Sequence, residues 1–179
     1  MIPSLGISVA VNAGGWEKAL PEAARIGRLT ARRGLKAGLG QSNPTTRRLG
    51  ALARLELTLV LDSDRGVRRL NRVWRGKDRP TNVLSFAAID GGLPKTHPAG
   101  MPYHLGDVVL ALETLKAEAR AQGKKFTQHF QHLVAHGVLH LLGFDHVRDK
   151  DARVMEDLER VVLAGFGWPD PYRSQLEER

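Results

Sequence analysis

The sequence contains no cysteine. Disulfides and thiolate metal centres are therefore excluded, and a cytosolic protein is the plain expectation. No apolar run approaches the length needed to cross a bilayer, and the opening Met1-Ile2-Pro3-Ser4 lacks the basic and apolar regions of a secretion signal. A membrane role is accordingly not expected. Acidic residues are scarce: 19 Asp and Glu stand against 27 Lys and Arg, a net charge of +8 and a pI near 10.3. That balance favours a polyanionic partner, nucleic acid before membrane, because no basic amphipathic anchor is evident. At 179 residues with 42% hydrophobic content, the chain is long enough to bury a real core and reads as one domain over 1–179.

The scarcity of acid is most local between Ala23 and Leu55, where there is none. Arg25, Arg28, Arg32, Arg33, Lys36, Arg47, Arg48 and Arg54 all fall in that window, and Gly34, Gly38, Gly40, Asn43 and Pro44 punctuate its middle. Residues 31–50 read as a flexible basic loop or arm able to contact phosphates.

Around it the elements alternate in type. Ile7 to Val11 reads as a strand before the Gly14-Gly15 break, and Trp16 to about Thr30 as a helix with Pro21 in its first turn. Leu55 to Leu61 alternates like a half-buried strand. Asp62, Ser63 and Asp64 offer caps for a helix carrying Val67, Leu70 and Trp74 on one side and closed by Gly76. Strands are expected over Val83–Ala88 and Asp107–Ala111, with a Gly- and Pro-rich loop between them. Helices are expected over Glu113–Gln122 and Asp149–Ala164, the latter with Val154, Leu158, Val161 and Val162 inward. Interspersed strands and helices predict an α+β fold, a small mixed sheet with helices packed on it.

Five of the seven histidines lie between His129 and His146. Leu133, Val134, Val138, Leu139, Leu141 and Leu142 make this stretch a buried helix, for which Thr127 can serve as cap. His136 and His140, four residues apart, share a helical face. Two histidines so placed are compatible with ordinary packing. A third, His146, follows the helix-stopping Gly143, whose left-handed turn can bring it back toward the first two. Three nitrogens arriving this way suit tetrahedral zinc with an open fourth position, hence a catalytic zinc site at the end of a central helix. His129 and His132 are assigned to the helix surface or to support of the ligands.

The spacing H-x-x-x-H-x-x-G-x-x-H is shared with metzincin proteases, which carry a glutamate base directly after the first histidine. Here that position is Gly137, which has no proton-accepting group. Asp145 is the nearest carboxylate, able to orient a ligand or act as a base. A basic chain without the proteolytic base points to a phosphodiester, whose cleavage calls for a guanidinium on the phosphate. Non-catalytic RNA binding, with the metal only holding the fold, is a third possibility.

Three blocks narrow the choice: Trp74-Arg75-Gly76-Lys77-Asp78-Arg79-Pro80-Thr81-Asn82-Val83-Leu84-Ser85-Phe86, then Leu105-Gly106-Asp107, then His136 through His146. In this order, with Asp170-Pro171-Tyr172 behind them, they resemble the YbeY family of bacterial endoribonucleases, over roughly Leu55 to Tyr172. The resemblance implies a zinc-dependent endonuclease of single-stranded RNA that matures the 3′ end of small-subunit ribosomal RNA and serves ribosome quality control. Its partners would be ribosomal RNA, the small subunit and ribosome-associated proteins. It implies His136, His140 and His146 as metal ligands, with Arg75 and His136 carrying the catalysis. Ala87 stands where the family tends to have proline. The basic stretch between Arg28 and Arg54 matches nothing in the resemblance.

Overall fold

The computed structural model describes residues 3–94 and 96–173. Four strands form one mixed sheet: β1 (Ser4–Val11), β2 (Arg54–Asp62), β3 (Val83–Ala87) and β4 (Tyr103–Ala111), in the order β1-β2-β4-β3. β1, β2 and β4 run parallel, and β3 pairs antiparallel with β4 at the edge. The helices are α1 (Trp16–Ala19), α2 (Ala23–Leu39), α3 (Pro44–Gly50), α4 (Asp64–Arg75), α5 (Leu112–Ala121), α6 (Phe126–Leu141) and α7 (Asp149–Ala164). This is the α+β architecture that the interspersed elements imply.

Strand parity divides the core. Leu55, Leu57, Leu59 and Leu61 of β2, with Val108 and Leu110 of β4, join the main cluster with Leu35 of α2 and Phe130 and Val138 of α6. The opposite parity, Val109 and Ala111 with Leu84 of β3, meets Val67 of α4 in a smaller cluster. Side chains alternate across a strand, so α2 and α6 cover one face of the sheet and α4 the other. On β3, Ser85 and Ala87 therefore face the α6 side while Leu84 and Phe86 face α4.

The stretch at 31–50 is helical rather than an arm. α2 continues to Leu39, and α3 follows with Asn43 as its cap, Asn43 Oδ1 accepting from Thr46 N at 2.9 Å. The glycines read as loop-formers instead permit close packing of α2 on α6. A Cβ on Gly34 would lie 3.3 Å from Val138, and one on Gly38 would lie 3.2 Å from Leu139. Much of the positive charge is engaged locally: Arg33 sits 4.1 Å over the Phe166 ring, Arg48 donates to Pro94 O at 2.7 Å, and Arg54 pairs with Glu56 at 2.8 Å.

Other departures are smaller. The helix expected over Trp16–Thr30 is broken at Leu20–Glu22, because the residue before Pro21 is steered out of helical geometry. α6 begins at Phe126, so Thr127 lies inside it and Lys125 precedes it without a side-chain cap. On α7 the inward stripe is Met155, Leu158, Glu159 and Val162, while Val154 and Val161 are exposed. Trp74 lies on the sheet-facing stripe of α4 and meets Phe86 of the edge strand β3, yet it is exposed. β3 ends at Ala87 (φ −82°) and passes into a 3-10 turn over Ala88–Gly91.

Candidate functional site

The buried helix α6 carries His136 and His140 on one face, at its C-terminal end. Gly143 then adopts φ +83°, Gly143 N donates to His140 O at 2.9 Å, and Phe144 N donates to Leu139 O at 3.1 Å. This paired closure reverses the chain as a left-handed helix terminus does. It returns His146 to the other two rings. Ring centroids are 4.6 Å apart for His136 and His140, 5.3 Å for His136 and His146, and 5.1 Å for His140 and His146. One nitrogen from each ring can be chosen so that all three lie within 4.8 Å of one another.

A carboxylate that the histidine spacing does not reveal controls this arrangement. Glu159 of α7 is 1% exposed. One of its oxygens accepts from His136 Nδ1 at 2.8 Å, and the other accepts from His132 Nε2 at 2.6 Å and from the Tyr172 hydroxyl. Because an ionised carboxylate only accepts, His136 donates to it from Nδ1, which leaves Nε2 as the nitrogen turned to the other rings. Nε2 of His136 then lies 3.1 Å from Nε2 of His140. Burial alone would raise the Glu159 pKa, but the hydrogen bonds from His132 and His136 outweigh it and hold the carboxyl at about 2. The Tyr172 phenol is pushed well above its ordinary value by burial and by the Glu159 charge, which keeps it a donor. The valine stripe expected on α7 gives no sign of it, because the buried face of that helix is Met155, Leu158, Glu159 and Val162.

Burial, reinforced by the neighbouring His136 and His146, lowers the His140 pKa to about 4. At neutral pH this imidazole is therefore an uncharged donor of a lone pair. The Nε2 atoms of His140 and His136, 3.1 Å apart, are close enough to share a proton in a hydrogen bond or, in its place, a cation. Zinc–nitrogen bonds of 2.0–2.1 Å in tetrahedral geometry place ligand nitrogens about 3.4 Å apart. The donor set thus fits a divalent transition metal, and the Glu159 contact supplies the carboxylate–histidine support common at such centres.

The rings open into a cleft of about 680 Å³, whose walls include Arg75, Asn82, Ser85 and Asp145. Arg75 arrives from the last turn of α4, exposed, from beyond the edge strand. The structure therefore brings together His136, His140, His146 and Arg75. Asp145 is exposed and accepts from the His146 backbone N at 2.7 Å, with no bond to a histidine ring. His132 supports the cluster through Glu159. His129 is separate, bonded to Glu118 at 2.8 Å, and burial lowers its pKa despite that carboxylate. Gly137 lies where α6 crosses the sheet. A Cβ there would collide with Val108 and stand 3.2 Å from Ser85 Oγ, so no glutamate fits at that position.

Residues 40–167 match the family model for Endoribonuclease YbeY. The chain belongs to this family. A protein named Endoribonuclease YbeY from Paramagnetospirillum magneticum is 47% identical over 176 residues, covering 98% of this chain and 100% of its own length. Another of that name, from Azorhizobium caulinodans, is 48% identical over 171 residues, covering 96% and 98%. The solution structure of TM1509 from Thermotoga maritima shares the fold, with a TM-score of 0.50 at 21% identity, covering 92% of this chain and 97% of that one. The YbeY match includes the histidine block and the Arg75 block. It also includes residues 40–50, the second half of the basic 31–50 stretch, but not Gly34 or Gly38.

Proposed function

We propose that this chain is a metal-dependent endoribonuclease of single-stranded RNA, with zinc held by His136, His140 and His146. The observation that carries the reading is the convergence of three imidazoles and one guanidinium, unpaired among the described residues, on a single cleft in a YbeY-family chain. Bound at these nitrogens, a divalent ion would supply Lewis-acid polarisation of a phosphoryl oxygen and a lowered pKa for a neighbouring water. Arg75 binds the non-bridging phosphate oxygens and offsets charge that grows as the phosphodiester is cleaved. Glu159 keeps the His136 proton on Nδ1 and so keeps Nε2 directed at the cleft. Peptide hydrolysis, the other chemistry served by this histidine spacing, lacks its usual glutamate base here, because the packing of Gly137 leaves no room for one at that position.

The substrate assignment follows the family: ribosomal RNA, at the 3′ end of the small-subunit molecule, in maturation and in quality control of ribosomes. Ribosome-associated proteins and a cytoplasmic setting accompany that assignment. Among the described residues no helix is long and apolar enough to cross a membrane.

Single-turnover cleavage of single-stranded RNA by the metal-loaded protein tests the proposal, with casein as the alternative substrate. Arg75→Ala should cut about 10²- to 10³-fold more slowly, the loss typical when a charge-stabilising donor is removed. Because Arg75 is exposed, its metal content and melting temperature should match those of the parent. Equal RNA cleavage by parent, Arg75→Ala and His136→Ala would reduce the chain to an RNA-binding assembly factor, and casein cleavage would reinstate the protease.

A further inference from the structure

Tryptophan is on average a highly buried residue, and Trp16 follows the rule at 1% exposure while Trp74 stands 69% exposed. Its place on α4 explains the exposure. Val67, Leu70 and Trp74 share the stripe turned toward the sheet, and the last of them lies against β3, the edge strand, with no further strand beyond it. The indole meets Phe86 edge-on, with centroids 6.0 Å apart, and leaves most of its surface in water beside the equally exposed Val73. A polar side chain would cover this edge without presenting apolar surface to solvent.

The surroundings are cationic. Residues 65–79 contain Arg65, Arg68, Arg69, Arg72, Arg75, Lys77 and Arg79, all exposed, against the single acid Asp78. Asp78 is taken by Arg68 at 2.9 Å. The side chains of Arg69, Arg75, Lys77 and Arg79 form no hydrogen bond or ion pair among the described residues. Arg75, Lys77, Arg79 and Asn71 border a recess of about 200 Å³, and Arg75 also borders the histidine cleft. Positive charge thus passes from the cleft, around the edge strand, to the helix end that carries the indole.

Single-stranded nucleic acid is bound by this combination: cations that follow the phosphates and an aromatic face on which a base can stack. A duplex keeps its bases stacked on one another and offers no free face. We infer that Trp74 is a stacking platform for a nucleobase of the RNA strand, placed beyond Arg75 from the histidine cleft. The inference rests on the RNA-cleaving reading above and adds a base-binding subsite to it.

The test is fluorescence anisotropy with the metal-loaded full chain and three labelled probes, each checked intact by electrophoresis. These are a 2′-O-methyl single strand, the same strand with abasic positions, and a blunt RNA duplex. Trp74→Ala should weaken binding of the single strand about 5- to 100-fold, as alanine substitution at a stacked base does, with Trp74→Phe retaining most of the affinity. The abasic strand and the duplex should bind parent and Trp74→Ala alike. The single strand should quench indole fluorescence of the parent, and Trp74→Phe should lack the quenched component. Equal affinity of parent and Trp74→Ala for the single strand would overturn the platform while leaving the RNA-cleaving reading intact, and would assign the exposed Val73–Trp74 patch to a protein partner. An equal loss on all three probes would also overturn it. A parent that binds none of them would sink both readings together.

Discussion

His136 Nδ1 lies 2.8 Å from Oε1 of Glu159, the buried carboxylate whose second oxygen holds His132 at 2.6 Å and the Tyr172 hydroxyl. One acid on α7 thereby decides which nitrogen of a histidine on α6 faces the cleft. The three donors that meet on it give the Glu159 charge a reason to remain inside the protein.

Glu159→Gln tests that dependence. An amide has one acceptor oxygen and one donor nitrogen, so it cannot accept from both imidazoles and the phenol. Metal affinity should fall about 10- to 100-fold, the usual effect of removing a carboxylate behind a ligand histidine. Competition titration against a chelating dye measures it. Affinity equal to that of the parent would show that Glu159 serves only the fold.

Acidification should destabilise the metal-free protein. His140 is lowered from the ordinary 6.5 to about 4, and His129 is lowered too, chiefly by burial. The unfolded chain therefore binds more protons than the folded one between about pH 6.5 and 4. The stability these residues contribute is present above pH 6.5 and is lost as pH falls toward 4, with a slope of at most about 1.4 kcal/mol per pH unit for each proton. Glu159, held at about 2 against an ordinary 4.5, extends the loss to lower pH. Thermal melts in chelator from pH 7 to pH 4 should show a falling midpoint, and a flat or rising one would contradict these assignments.

Gly34→Leu separates a packed helix from a flexible arm. A solvated arm would accept leucine without cost, and in a helix free of neighbours the propensity gain over glycine would even be stabilising by somewhat under 1 kcal/mol. A Cβ at this position already meets Val138 at 3.3 Å, and overpacking of a core typically costs about 1–3 kcal/mol. The melting temperature should fall by several degrees. An unchanged or higher value would restore the arm.

The histidine triad was legible because α-helical spacing and a terminating glycine are local rules, and the core strand Leu55–Leu61 was legible because its alternation is local too. Arg75 became selectable only through its motif, since its approach to the cleft depends on α4 lying across the sheet from α6. Glu159 is 23 residues from His136, and only the packing of α7 on α6 brings them together. The 31–50 stretch misled for a different reason. Glycine marks either a turn or a close approach between helices, and Gly34 and Gly38 serve the second role against a helix about a hundred residues further along the chain. The spacing of Val67, Leu70 and Trp74 shows which side of α4 the indole takes, but periodicity does not report that its strand neighbour β3 is an edge strand.

Calorimetric titration of zinc into the chelator-stripped chain, alongside elemental analysis of the chain as purified, tests the central claim most directly. One divalent ion per chain is predicted, with the site lost in His140→Ala and the melting temperature raised on loading, as coupling of metal binding to folding requires. A parent that takes up no metal, or a His136→Ala/His140→Ala variant that binds zinc as tightly as the parent, would contradict it.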